Sequence, residues 1–109
     1  MLRDAAVDGV FCVTDLLALG FMDGARYELR RRVPADVSVI GFDDIPQAAW
    51  GAYRLTTFSQ PVDTLCDAVM AKLGAMVADP AVVPSLTTVP VHLVERATVR
   101  SPKSGRVRA

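Results

Sequence analysis

Two apolar runs in this chain end in side chains that carry oxygen. Val37-Ser38-Val39-Ile40-Gly41-Phe42 leads into Asp43-Asp44, and Val7-Asp8-Gly9-Val10-Phe11-Cys12-Val13 leads into Thr14-Asp15. An ionised Asp is an acceptor with two oxygens and no proton to give, which suits the vicinal hydroxyls of a sugar, while a Thr hydroxyl both donates and accepts. Brought to one place, these four residues would hold a small polar ligand. The commonplace alternative is local: Asp43 and Asp44 turn the chain ahead of Pro46, and Thr14 caps a helix. A third chemistry, a flavodoxin-like enzyme using Asp43 and Asp44 with a metal ion, lacks its other parts. No Lys lies near either run, no glycine loop would cradle a phosphate, and no base stands beside a nucleophile. No cofactor, metal site or catalytic residue is therefore assigned.

Such residues converge only if the elements carrying them are parallel. In 37–42, four of six residues are apolar and three of these are β-branched, with Pro34 before and Pro46 after, which predicts a short strand of the kind buried on both faces. Residues 7–13 predict another. Between them, Ala18, Phe21, Met22, Ala25 and Leu29 recur at helical spacing over residues 16–31, with Thr14 as cap and Asp15 at the positive end of the helix dipole. Gly20 and Gly24 lie one turn apart and point to close helix-to-strand packing. Arg30-Arg31-Arg32 and then Val33-Pro34 close the helix. Strand, helix, strand is a βαβ unit, whose right-handed crossover makes the strands parallel and puts Thr14, Asp15, Asp43 and Asp44 on one edge, where ligands collect in open sheets.

Beyond this unit, residues 45–54 predict a loop or helical turn holding Trp50 and Tyr53, candidates for a partner surface or a ligand platform at a pocket edge, with local packing about as open. Residues 55–59 are extended. Gln60-Pro61 opens a second helix over 62–78, with Pro61 at its first position and Leu65, Ala68, Val69, Leu73, Met76 and Val77 on a broad apolar face. Residues 86–94 alternate as an edge strand demoted by Pro90, with the single His92 on the polar side.

Composition bounds the rest. At 109 residues, 51% hydrophobic and 22% charged, the chain is one globular domain or less. No apolar run approaches the roughly 20 residues of a membrane helix, and the start lacks a basic, apolar leader, so a cytoplasmic setting is expected. Cys12 and Cys66 read as buried structural thiols. From Arg96 onward there are five basic residues and no acid. Residues 99–109 read as a frayed, disordered basic tail rather than a nucleic-acid patch.

The succession of Asp8-Gly9-Val10-Phe11-Cys12-Val13-Thr14-Asp15-Leu16-Leu17-Ala18-Leu19-Gly20, then Val33-Pro34 through Asp44, then Leu55-Thr56-Thr57 with Gln60-Pro61, resembles the LacI/GalR family of bacterial transcriptional regulators. The resemblance covers nearly the whole chain to Thr98 and matches the carboxyl-terminal third of such a regulator. It implies an α/β fold, the parallel-sheet βαβ part of a periplasmic-binding-protein-like core. About 5–56 and 86–98 would belong to one subdomain and about 60–80 to the other, so this is a fragment of the core. It further implies a sugar or similar effector contacting Asp43, and Thr14-Asp15 where the family has Asn-Asp. A homodimer is implied as well, and operator DNA bound through a helix-turn-helix that these residues do not contain. Thr14 offers one donor where Asn offers two. Residues 93–98 keep an Arg, Arg96, where the family's last strand has one, but lose the acid after it. With most of its home subdomain absent, the 62–78 helix is expected to expose its apolar face. The alternative is a fragment of a periplasmic sugar-binding protein of a transport system, which shares the same core.

Overall fold

A computed structural model of the chain describes residues 7–101. Strand β1 (Gly9–Phe11) leads to helix α1 (Asp15–Asp23), then come β2 (Ser38–Asp43), β3 (Thr56–Ser59), helix α2 (Val62–Ala78) and β4 (His92–Val94). The strands form one sheet in the order β1-β2-β3-β4, with β1 parallel to β2 and β2 parallel to β3. Val10 stands opposite Val39 and Asp43 opposite Ser59. By contacts, the described residues up to Ser59 and from Leu93 onward make one compact unit and residues 60–92 a second.

The first unit is built as its sequence dictates. Thr14 takes an extended backbone and its hydroxyl accepts from the Leu17 amide at 3.3 Å, so the helix cap is made as expected. Ala18, Leu19 and Met22 of α1 are buried with Cys12, Val39, Ala48 and Leu55, and Ile45 and Tyr53 pack on this core. The expected helix over 16–31 is shorter: α1 gives way at Gly24 to a single π-helical turn (Gly24–Glu28), which changes the phase of the apolar stripe so that Ala25 stays buried and Leu29 is only half-buried. Gly20 and Gly24 face open space, so the close packing expected of them is absent. Gly41 meets that description instead. A Cβ there would lie 2.9 Å from Leu55 Cδ2 and would clash with Asp15 Oδ1.

Burial of β2 on both faces is also corrected. Val39 and Gly41 are buried toward α1, whereas Ser38, Ile40 and Phe42 on the opposite face, which no helix of the described residues covers with comparable contact, are half-buried. On that second face Phe42 meets its register partner Phe58, ring centroids 6.1 Å apart and tilted by 38°.

The carboxyl-terminal residues lock this unit. The buried Thr98 hydroxyl donates to Val39 O at 2.7 Å and accepts from Thr56 N at 2.9 Å, while Thr98 O accepts from Val39 N at 2.8 Å. Arg100 donates to Asp8 Oδ2 at 3.0 Å and to Ala35 O at 3.2 Å. Lys103, Arg106 and Arg108 lie outside the described residues.

The second unit has no such core. Pro61 is the N-cap of α2 rather than its first residue, and no residue of the helix is buried. Cys66, expected inside, is exposed, while Cys12 is buried and burial pushes its thiol pKa up. The expected 86–94 strand contracts to β4, since residues 82–91 form no regular structure, and His92 is exposed as anticipated.

Candidate functional site

Because β1, β2 and β3 run parallel, their carboxyl ends share an edge, and the β1–α1 junction stands on it. The structure gathers Thr14, Asp15, Asp43 and Asp44 there and gives them unlike roles.

Asp15 is fully buried. Its Oδ2 accepts from the Ile45 amide at 2.9 Å and its Oδ1 accepts from the Thr57 hydroxyl. Burying a carboxylate costs free energy unless donors replace its water. Two donors and the amino end of α1 do so here. One side chain thereby ties the β1–α1 junction to the loop after β2 and to β3, and Gly41 leaves the room for it. Both oxygens are engaged with protein, and no surface of Asp15 reaches solvent.

Asp43 ends β2 with φ 131°, and Asp44 follows with φ 59°. Consecutive non-glycine residues in positive-φ conformations carry strain of about 1–3 kcal/mol each and persist where their surroundings fix them. Asp44 is fixed by Arg96, whose Nη2 donates to Asp44 Oδ1 at 2.7 Å and whose Nη1 donates to Leu55 O at 2.8 Å. Both side chains of this pair are largely shielded, 19% and 23% exposed. Asp43 is half-buried at the edge, opposite Ser59. Asp43, Asp44 and Thr14 each keep part of their surface at this edge, whereas Asp15 keeps none.

Trp50 and Tyr53 diverge. Trp50 follows a 3-10 turn (Pro46–Ala49) and is 57% exposed. Tyr53 packs on the core and its hydroxyl donates to Asp23 Oδ2 at 3.1 Å, a bond to a carboxylate that raises the phenol's pKa. Local packing thus accounts for Tyr53, not for Trp50.

Sequence reasoning missed Gly41, Thr57 and Arg96 as parts of this edge. The local signal was a pair of polar residues, Thr56-Thr57, between Leu55 and Phe58 of an extended segment. A hollow of about 270 Å³ lies against Arg96, between Ile40, Thr56, Glu95 and Arg100. One of about 320 Å³ between α2 and residues 82–85 is apolar apart from Lys72, whose ammonium already bonds Ser85. Among the described residues no group of three or more His, Cys, Asp or Glu could hold a metal ion, and no helix is long and apolar enough to cross a membrane.

Fold and edge together define a parallel α/β core segment whose acids line the carboxyl ends of its strands. Residues 2–99 match the model of the periplasmic binding protein-like domain. The chain belongs to that family, and the relatives it matches are LacI-type bacterial transcriptional regulators. It is 38% identical over 90 residues to an HTH-type transcriptional repressor PurR of Yersinia enterocolitica, an alignment covering 83% of this chain and 26% of that protein. The chain thus spans about a quarter of the length of the curated relatives it matches. Among solved structures it is similar to a LacI family transcriptional regulator from Enterococcus faecium with bound ribose, at TM-score 0.75 and 30% identity, covering 94% of this chain and 38% of that one. It is also similar to the lac repressor dimer bound to operator and the anti-inducer ONPF, at TM-score 0.76 and 31% identity, covering 93% and 35%. These relatives are regulators, which favours that reading over a component of a transport system.

Proposed function

We propose that the chain is the effector-binding and dimerisation portion of a LacI-type DNA-binding repressor that responds to a sugar or similar small polar ligand. The observation that carries this reading is Asp43, held in a strained conformation at the carboxyl end of β2, beside the capped end of α1, in a chain similar to a ribose-bound regulator. In this reading Asp43 accepts from ligand hydroxyls and Thr14 lies beside it, while Asp15 serves the site from within. The unit that runs to Ser59 and resumes at Leu93 is one lobe of the core, and residues 60–92 contribute to the other. A DNA-reading domain outside these residues binds the operator, which sets the protein's work in the cytoplasm. Exposed Trp50 is a candidate for the homodimer contact.

Calorimetric titration of the full-length protein with D-ribose, cellobiose and sucrose tests the site. One of these sugars should bind saturably and change operator affinity. Replacing Asp43→Ala should weaken that sugar's binding by about tenfold or more, the loss of a hydrogen-bonded charged acceptor. Full affinity in the Asp43→Ala protein would refute the assignment.

A further inference from the structure

The buried carboxylate at the sheet edge has a role that contact with ligand does not describe. We infer that Asp15 is a positioning residue: through the Ile45 amide and the Thr57 hydroxyl it holds the strained Asp43-Asp44 turn in the geometry that a ligand meets.

The turn stands between two clamps. On one side Arg96 grips Asp44 at 2.7 Å. On the other, the amide two residues after Asp43 donates to Asp15 Oδ2 at 2.9 Å. Asp15 is itself held from three directions: it starts α1, it accepts from Thr57 of β3, and it fills the space that Gly41 of β2 leaves empty. Positive-φ residues relax when a clamp is released, since the favourable backbone regions lie elsewhere. Releasing Ile45 therefore lets Asp43 turn away without any change in its own side chain. A turn released from these clamps would have to be ordered again on binding, at a cost in affinity. The inference rests on the reading of Asp43 as the effector contact, and the test separates the two.

Amide hydrogen exchange of the full-length protein without ligand is the first readout, and D-ribose affinity the second. Asp15→Ala should speed exchange at Ile45 by about tenfold or more, the loss of one hydrogen bond, while Val39, bonded to Thr98 O at 2.8 Å, keeps its protection. Asp15→Asn should restore both readouts, because its Oδ1 still accepts from Ile45 and its amide can donate to the Thr57 oxygen. Unchanged Ile45 exchange in Asp15→Ala overturns the inference. So does an Asp15→Asn protein whose Ile45 stays protected while ribose affinity is lost, since that is the behaviour of a charge touching ligand. If Asp15→Ala does not fold, Thr57→Val removes only the hydroxyl and should still loosen Ile45, with unchanged exchange again overturning the inference. A wild-type protein that binds no ribose counts against the choice of sugar in the functional reading alone, because the exchange result stands without ligand.

Discussion

Helices α1 and α2 each carry apolar residues at helical spacing, yet α1 buries Ala18, Leu19 and Met22 and α2 buries nothing. Leu65, Val69, Met70, Leu73, Met76 and Val77 of α2 are all exposed by two-fifths or more. The difference lies in what the rest of the described chain offers each helix. Helix α1 has a parallel sheet beside it and a carboxylate at its amino end that bonds across to the loop after β2 and to β3. Helix α2 has only the irregular residues after it, from which Ser85 takes the Lys72 ammonium. An apolar stripe therefore states what a helix needs covered; whether the cover comes from this stretch of chain is decided elsewhere.

The contrast is broken most forcefully by shortening one side chain in each region. Leu55 is fully buried in the first unit, so Leu55→Ala should cost about 3 kcal/mol in urea unfolding of this chain, from lost transfer free energy and the cavity left behind. Leu73, 51% exposed, should cost less than about 0.5 kcal/mol when cut to Ala. Equal costs would mean that the α2 face is covered in solution. The next largest effect tests the polar half of the contrast. Gly41→Ala adds a methyl against Leu55 Cδ2 at 2.9 Å and against an Asp15 carboxylate that two donors hold in place. Neither neighbour can yield freely, so unfolding should become easier by about 2 kcal/mol, the usual scale of overpacking. A silent Gly41→Ala would show that the Asp15 carboxylate is loosely held.

What the sequence made legible is what local chemistry determines. The two strands, the Thr14 cap and the convergence of acids on one edge follow from β-branched runs, a hydroxyl before a helix and the handedness of a βαβ crossover. The exposed apolar face of α2 was also anticipated. The division of labour at the edge was not, because it depends on partners far apart in the chain. Asp15 and Thr57 are 42 residues apart, Asp44 and Arg96 are 52 apart, and Thr98 and Val39 are 59 apart. Periodicity cannot tell an acid that faces ligand from one that faces inward. Nor could it choose among glycines: Gly20 and Gly24 have helical spacing to recommend them, whereas Gly41, the one under close approach, sits unmarked in a strand.

A polar pair on the surface supplies the smallest effect and the sharpest contrast with Asp15. The Asp36 carboxylate accepts from the Arg32 amide at 2.8 Å, from its Nε at 3.0 Å and from its Nη2 at 2.8 Å. These bonds to the Arg32 guanidinium and amide hold the Asp36 carboxyl well below the usual carboxylate range. A folded-state value below the unfolded one, about 3.9, means that the stability contributed is fully present above that pH and is lost as the pH falls through the folded value. Arg32→Gln should move the Asp36 midpoint in an NMR titration back up toward the ordinary range, and added salt should move it the same way. At neutral pH the thermal midpoint should hardly respond, because the Arg32 side chain is 77% exposed and water competes for the same bonds. A large loss of stability in Arg32→Gln would mean that surface pairs also hold this unit together, which would weaken the claim that its polar locks are the buried ones at Asp15 and Thr98.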